Sequence, residues 1–447
     1  MTLQDSSARS ATWGVLLTAA AILMITMGTR QTTGLFLSPL NTSTGLGVAT
    51  ISFAMAIGQF VWGAAQPVSG ALADRYGPVP VLVGGGLLLA AGTALTPSMS
   101  SEWGLIVTLG IMMAAGSGAG SFSILIGASA QQLPPQRRSF AAGFINAGGS
   151  FGQFLFAPLT ERLIAFAGWA NALIGLAVAS LLTIPLALRL GRIGRRQRRE
   201  ADAAAAEAAA AAAGARASVS SGAAGAPGTT GTTGTAAVAP AGGMRAELRR
   251  AFADRSYLLL HAGFFTCGFH IAFLITHLPG EVALCGLPAT VSGASIALIG
   301  LANIVGSLGV GKLGERFRMK HLLFCMYLSR AVIILVYMAA PKTPATFYLL
   351  AIALGLTWLA TVPPTAGLVG KLFGVRYLST LFGLTLLSHQ VGGFLGAWLG
   401  GIAFERFGSY DTVWIADAVL ATLAAVVNLP IREAAVVRPV AAAVRAG

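Results

Sequence analysis

Charge is what this chain has least of: Asp, Glu, Lys and Arg make up 10% of its 447 residues, and only 15 residues are acidic. Soluble domains carry about 25% charged residues, so a chain solvated by water over its whole surface is excluded. Cysteine is nearly as scarce. Cys267, Cys285 and Cys325 are odd in number, and only Cys285 falls in a predicted outer loop, which excludes a disulfide framework. No GxxxxGK[ST] occurs and no Gly-rich loop follows a strand, which argues against ATP as the energy source. No His, Cys or Asp set has metal-ligand spacing. Nothing looks enzymatic, and no cofactor is expected.

What is present is apolar. Hydrophobic residues account for 55% of the chain. They fall in continuous blocks of roughly 20, enough to cross a ~30 Å hydrocarbon core as a helix. Because the blocks do not alternate, strands are disfavoured, and lipid leaves the helix as the way to satisfy the backbone. The predicted spans are 13–39, 49–73, 79–98, 104–131, 138–161, 168–190, 255–279, 288–313, 320–340, 345–370, 376–403 and 410–430. With the N-terminus in the cytoplasm, Arg162, Lys342 and Arg406 are the basic residues left outside, and Arg30 and Arg330 lie within helices. The rest of the 29 Lys and Arg fall on the cytoplasmic side. This positive-inside bias sets an even helix count and cytoplasmic termini. The net charge of +14 is therefore a topology signal, not a nucleic-acid signal. The first 12 residues are polar, and helix 1 is too long for a cleaved signal peptide.

Residues 191–253 interrupt the apolar pattern and divide the helices six and six, into an N-terminal bundle (1–190) and a C-terminal bundle with a short cytoplasmic tail (254–447). The interruption begins with the basic run Arg192 to Arg199, passes through the Ala-rich stretch Ala203 to Ala213, and reaches a Gly/Thr segment with nothing to bury. That last segment is predicted to be a disordered cytoplasmic linker. The halves repeat each other. Gly70-Ala71-Leu72-Ala73-Asp74-Arg75-Tyr76-Gly77 recurs loosely as Gly311-Lys312-Leu313-Gly314-Glu315-Arg316-Phe317-Arg318, and Gly143 and Gly152 in helix 5 match Gly383 and Gly392 in helix 11 at nearly the same offset. Duplicated six-helix units place a binding site between the halves near mid-membrane.

The motif Gly70-x-Leu72-x-Asp74-Arg75-x-Gly77 resembles the signature between helices 2 and 3 of the major facilitator superfamily. The resemblance covers the whole chain and implies the major facilitator fold: an all-α membrane protein of twelve helices in two pseudo-symmetric bundles. Asp74 can cap the start of a neighbouring helix or pair with Arg75 and a partner across the domain interface, a pairing that would hold one rocking state and break in the other; Gly311, Glu315 and Arg316 are the second copy of this switch motif. Helix 5, with Arg137-Arg138-Ser139-Phe140-Ala141-Ala142-Gly143 running on to Gly148-Gly149-Ser150-Phe151-Gly152-Gln153, is similar to that helix in the monocarboxylate transporter family, which includes the bacterial oxalate/formate group. Gly28-Thr29-Arg30-Gln31 stands where that family often carries a cation. The family implies transport of small carboxylates with a proton or by anion exchange. It also commonly carries an Asp and an Arg in helix 8, where this chain has only Asn303 as a strongly polar residue.

Arg30 lies too deep to snorkel, so it should face a cavity or a partner. Its planar fork suits a carboxylate, which makes it the candidate substrate anchor. Arg330 in helix 9 and Asp417 in helix 12 are expected to form a structural ion pair on the outer side of the bundle. His270 and His389, midway along helices 7 and 11, can hold a coupling proton or donate to a carboxylate; the alternative is a hydrogen-bonded packing role. His277 is expected at the outer interface. Ser121, Asn146, Asn303, Trp358 and Thr361 are further substrate-binding candidates by position, with packing as the alternative. Pro363-Pro364 should kink helix 10.

Together these features point to a secondary carrier of a small organic anion, a monocarboxylate by resemblance, working by alternating access as a monomer in the bacterial inner membrane. A proton or a counter-anion is its coupling partner. Two other readings stay open: proton-driven efflux of a hydrophobic or aromatic compound, which calls for a buried carboxylate, and a non-transporting membrane sensor on the same fold.

Overall fold

The computed structural model describes residues 3–130, 138–196, 199, 203, 244–314, 316–374 and 378–434. Twelve long helical spans run through them. We label them α1 (Leu3–Gln31), α2 (Val48–Tyr76), α3 (Pro78–Leu95), α4 (Glu102–Leu105, Ile106–Met113, Ala114–Ala119 and Phe122–Ala130 in succession), α5 (Arg138–Ala167) and α6 (Trp169–Leu181, continuing apolar to Arg196). The second half holds α7 (Arg255–Leu284), α8 (Ala289–Leu313), α9 (Met319–Ala339), α10 (Pro344–Thr357 and Val362–Phe373), α11 (Leu378–Phe407) and α12 (Asp411–Asn428). Ten of the spans are apolar and long enough to cross a bilayer. The other two, α5 and α11, are 30 residues each. Each of these two lies between its own bundle and the opposite one.

Lipid is as apolar as leucine, so helices here associate through close van der Waals contact over small residues. The duplicated glycines show this directly. A Cβ at Gly152 of α5 would lie 2.1 Å from Met24 O of α1, and one at Gly392 of α11 would lie 1.9 Å from Phe265 O of α7. Both the glycines and the carbonyls they touch are separated by nearly the repeat offset, so α1–α5 and α7–α11 are one packing solution used twice. Gly143 and Gly383 have open space around them instead. In α4 the small-residue run packs on α3, where a Cβ at Gly116 would lie 2.3 Å from Leu89 N.

Two spans are broken. After Gln31, α1 gives way to a short 3-10 turn (Thr33–Phe36) and a further helix (Leu37–Thr44), where a single continuous helix was expected. In α10, Pro363 and Pro364 lack the N–H groups that would hold the preceding turn, and the helix unwinds over 358–361, one turn ahead of the prolines. Within the region predicted as linker, Met244–Ala253 is helical and rests on α7 with Ala251 buried. The Gly/Thr segment lies outside the described residues.

The halves meet along α2–α11 and α5–α8. At the end bearing the α1–α2 and α11–α12 turns they are closely apposed. A Cβ at Gly34 would lie 1.9 Å from Ile275 O, one at Gly401 would lie 2.6 Å from Ser52 Cβ, and the Ala49 N–H donates to Glu405 Oε1 at 2.7 Å. At the opposite end, Gly70, Gly77, Gly143, Gly309, Gly311 and Gly383 have no neighbour among the described residues within 4 Å of a Cβ position. The described halves are thus closed at the end predicted to face outward.

Candidate functional site

Arg30 occupies the last turn of the first segment of α1, where a cation is favoured by the helix dipole. Its Nη2 donates to Gln59 Oε1, and its guanidinium lies 4.2 Å from the centre of the Trp62 ring. A cation over an indole is attracted by about 0.5–2 kcal/mol depending on desolvation. Arg30 is half-buried and has no carboxylate partner among the described residues. Its positive charge is therefore held in place by neutral groups and left uncompensated.

Across the seam, α11 brings His389 and Gln390 towards this point. Gly63, one residue past Trp62, packs so closely that a Cβ there would lie 2.1 Å from Gln390 Cγ. His389 Nδ1 and Gln390 Nε2 are 3.3 Å apart, and the charge of Arg30 reaches His389. One turn further along α2, Gln66 accepts from Ser123 Oγ (3.3 Å), which in turn pairs with Ser121 Oγ (3.0 Å). Buried Trp62 Nε1 and Gln66 Nε2 have no hydrogen-bond partner among the described residues. Arg30, Ser121 and His389 thus share one polar seam between the halves. Asn146 on α5 is half-buried and makes no hydrogen bond among the described residues. Gln59, Trp62, Gln66 and Gln390 were not among the sequence candidates. The spacing 59, 62, 66 is a helical stripe and was the available signal.

The remaining candidates lie elsewhere. His270 is fully buried inside the C-terminal bundle, its Nδ1 2.5 Å from Asp417 Oδ2. Asp417 is thus the partner of His270, not of Arg330. The expected Arg330–Asp417 pair does not form, because α12 packs against both α7 and α9 and turns this carboxylate towards α7. Arg330 is fully buried and its Nη2 donates to Thr357 O (2.8 Å) at the break in α10. Trp358 and Thr361, within that break, are fully buried too. Cys267 Sγ lies 3.3 Å from Thr361 Oγ1, and the Trp358 and His270 rings stand 5.9 Å apart. None of these five bonds to a residue of the Arg30 seam among the described residues.

Asn303 is likewise structural in its bonding. Its Nδ2 donates to Ser150 Oγ of α5 (2.8 Å), and its Oδ1 accepts from the Leu359 N–H (3.0 Å) and from Ser307 Oγ (3.1 Å). It fastens the unwound backbone of α10 to the seam between the halves. His277 is also not interfacial: it is buried and its Nε2–H donates to Ala397 O at 2.7 Å. Besides Asp417, Glu161 and Glu281 are buried, and Glu281 accepts from the Tyr337 hydroxyl at 2.6 Å. The sequence reading ended helix 7 before Glu281, whereas α7 runs on to Leu284.

In the loop motif, Gly77 has φ +86°, a left-handed conformation that suits glycine and turns α2 directly into α3. Arg75 lies over the Tyr76 ring at 5.2 Å. The Asp74 side chain and Glu315 lie outside the described residues. Gly311 and Arg316 are exposed. A pocket of about 610 Å³ opens between α7, α11 and α12, lined by apolar residues with His261, Thr266 and Ser388; it does not include Arg30.

The Major Facilitator Superfamily model matches residues 19–397 and 286–444. The chain is 25% identical over 413 residues to monocarboxylate transporter 13 of Rattus norvegicus, covering 90% of this chain and 85% of that protein. It is 26% identical over 159 residues to the oxalate:formate antiporter of Oxalobacter formigenes, covering 35% and 37%. Among solved structures it is similar to a bacterial homologue of the human lysosomal transporter Spinster, inward-facing and unoccupied. That match has a TM-score of 0.68 and 14% identity, covering 94% of this chain and 96% of that one. The D-xylose-proton symporter has a TM-score of 0.65 and 15% identity, covering 97% and 99%. With its twelve helices, duplicated halves and the family match along nearly its whole length, this chain belongs to the major facilitator superfamily and is a multi-pass membrane transporter, not an enzyme.

Proposed function

We propose that this chain is a secondary carrier of a small organic anion, a monocarboxylate first, moved by alternating access with a coupled proton or in exchange for a second anion. The observation that carries the reading is Arg30: a guanidinium between the halves, set by Gln59 and Trp62, with no acidic partner among the described residues. An uncompensated cation at this depth is costly, and a carboxylate ligand offsets that cost with two charge-assisted hydrogen bonds. His389 and Gln390 supply further polar contacts from the opposite half. The relatives named for monocarboxylates and for oxalate and formate support the same class of substrate. On this reading the carrier is a monomer in the bacterial inner membrane, with both termini cytoplasmic and residues 191–253 linking bundles 1–190 and 254–447. The motif around Gly70 to Gly77 and its weaker copy at Gly311 to Arg316 switch between states.

A second reading, export of a hydrophobic or aromatic compound, draws on the largely apolar pocket beside His261 and on buried Glu281 as a proton carrier. Uptake and counterflow of labelled formate, oxalate and lactate into proteoliposomes separates the two. The anion reading expects one of these to be carried. Arg30→Gln should lower kcat/KM about tenfold to a hundredfold, from ~1.5–3 kcal/mol for a hydrogen bond to a charged group. Unchanged kinetics in Arg30→Gln would make Arg30 structural, and no carriage of any of the three would move export forward.

A further inference from the structure

The C-terminal bundle holds a second polar centre, around the break in α10, that the Arg30 seam does not use. We propose that His270 and Asp417 form an internal proton-binding site, the proton entering on His270 Nε2, and that this is the coupling proton of the carrier. The inference rests on the carrier reading above and adds where the proton is held.

The geometry points to this atom. Because Nδ1 faces the Asp417 carboxylate at 2.5 Å, it carries the ring proton of the neutral imidazole. Nε2 is then a free lone pair, and it is buried with no hydrogen-bond partner among the described residues. Binding a proton there makes an imidazolium whose charge is balanced by Asp417 across an existing hydrogen bond. Unpaired polar atoms cluster around it: Asp417 Oδ1, Trp358 Nε1, and Nε and Nη1 of Arg330. So many unsatisfied groups at one buried point are costly. They mark a centre that changes its protonation or its bonding in another state, not one built for packing.

The groups facing the couple decide when it is charged. From α12 comes Asp417 and from α9 Arg330; Tyr327 of α9 stands beside Cys267 and Arg330, and the backbone of His389 on α11 packs on Gly268. The unwound part of α10 contributes Trp358 and Thr361, which carry no charge. With a neutral imidazole, one cation and one carboxylate cancel. A proton on Nε2 puts a second positive charge near Arg330, whose hydrogen bonds run to Thr357 O and Trp358 O. The repulsion therefore acts on the joint of α10, and motion of that joint acts on the proton. A shift of α10 that draws Arg330 away lets the couple hold it.

Two measurements on the full-length protein test this. In detergent, with ¹⁵N-labelled histidine, the His270 Nε2 resonance, assigned by its loss in His270→Gln, should shift with pH as that nitrogen gains its proton. In proteoliposomes, whichever of formate, oxalate or lactate shows counterflow should accumulate about tenfold for a one-unit pH gradient at one proton per anion. His270→Gln should reduce that accumulation to about onefold while keeping counterflow. Asp417→Asn, which keeps the shape and removes the balancing charge, carries the same test if His270→Gln fails to fold. A His270 signal that never titrates, or gradient-driven accumulation that persists in the variants, overturns the proposal. If no anion shows counterflow even in the unmodified protein, the carrier reading falls, and the titration alone decides the proton site.

Discussion

Replacing Asn303 by alanine separates two roles that its position left open. As a substrate ligand it would affect KM; as a fastener of α10 it would affect stability. Its Oδ1 is the acceptor for the Leu359 N–H, which has no helical partner because α10 is unwound over 358–361. Its Nδ2 bonds Ser150 of the other half. Leaving one partly buried N–H unpaired costs about 1–3 kcal/mol, and the inter-helix bond adds roughly 0.6–2 kcal/mol in lipid. Asn303→Ala should therefore lose about 2–4 kcal/mol, visible as a melting temperature several degrees lower for the purified protein in detergent. Among correctly folded molecules the KM should stay within about twofold, since three of the four hydrogen-bonding positions of this side chain are already used within the protein. An unchanged melting temperature together with a KM raised tenfold or more would refute the reasoning and return Asn303 to the binding site.

Three further outcomes are expected. Gly392→Ala forces α7 and α11 apart, because the new methyl would sit 1.9 Å from Phe265 O; overpacking of this kind costs about 1–3 kcal/mol. Gly152→Ala should do the same at α1–α5, whereas Gly383→Ala, in open space, should leave the melting temperature unchanged; equal effects at all three positions would contradict the packing argument. Glu405→Ala removes the carboxylate that caps the start of α2 from the other half, a contact worth roughly 1 kcal/mol. Spin labels on the outer ends of α2 and α11 should then report longer distances in a larger share of molecules, and an unaltered distance distribution would count against an outer latch. Trp62→Leu removes the ring under the Arg30 guanidinium and should weaken anion binding about twofold to fivefold, following ~0.5–1 kcal/mol for a cation–π contact; isothermal titration with the transported anion reads it directly.

The solvent of this protein is legible in its composition, and so is most of its architecture. Lipid permits few ways to satisfy a backbone, so twenty-residue apolar blocks, basic loops on one side and the repeat of glycines at 152 and 392 were enough to reach twelve helices in two matched bundles. Arg30 stood out for the same reason, because a lone cation at mid-membrane needs a purpose. What the one-dimensional pattern could not carry was which way each helix is turned and which neighbour it meets. Helix 12 touches both α7 and α9, so Asp417 could have served either His270 or Arg330, and only the rotation of α12 assigns it to His270. Likewise Asn303 and Trp358 are polar-tipped residues at mid-depth, like true cavity residues. Their place at the unwinding of α10 became visible only once the missing N–H groups of Pro363 and Pro364 had shifted the break to 358–361. Sequence alone thus determined the membrane fold and its central cation. The tertiary structure decided which polar groups face the seam between the halves and which are committed inside one bundle, because rotation about a helix axis and the partner across it are set by packing over the whole bundle.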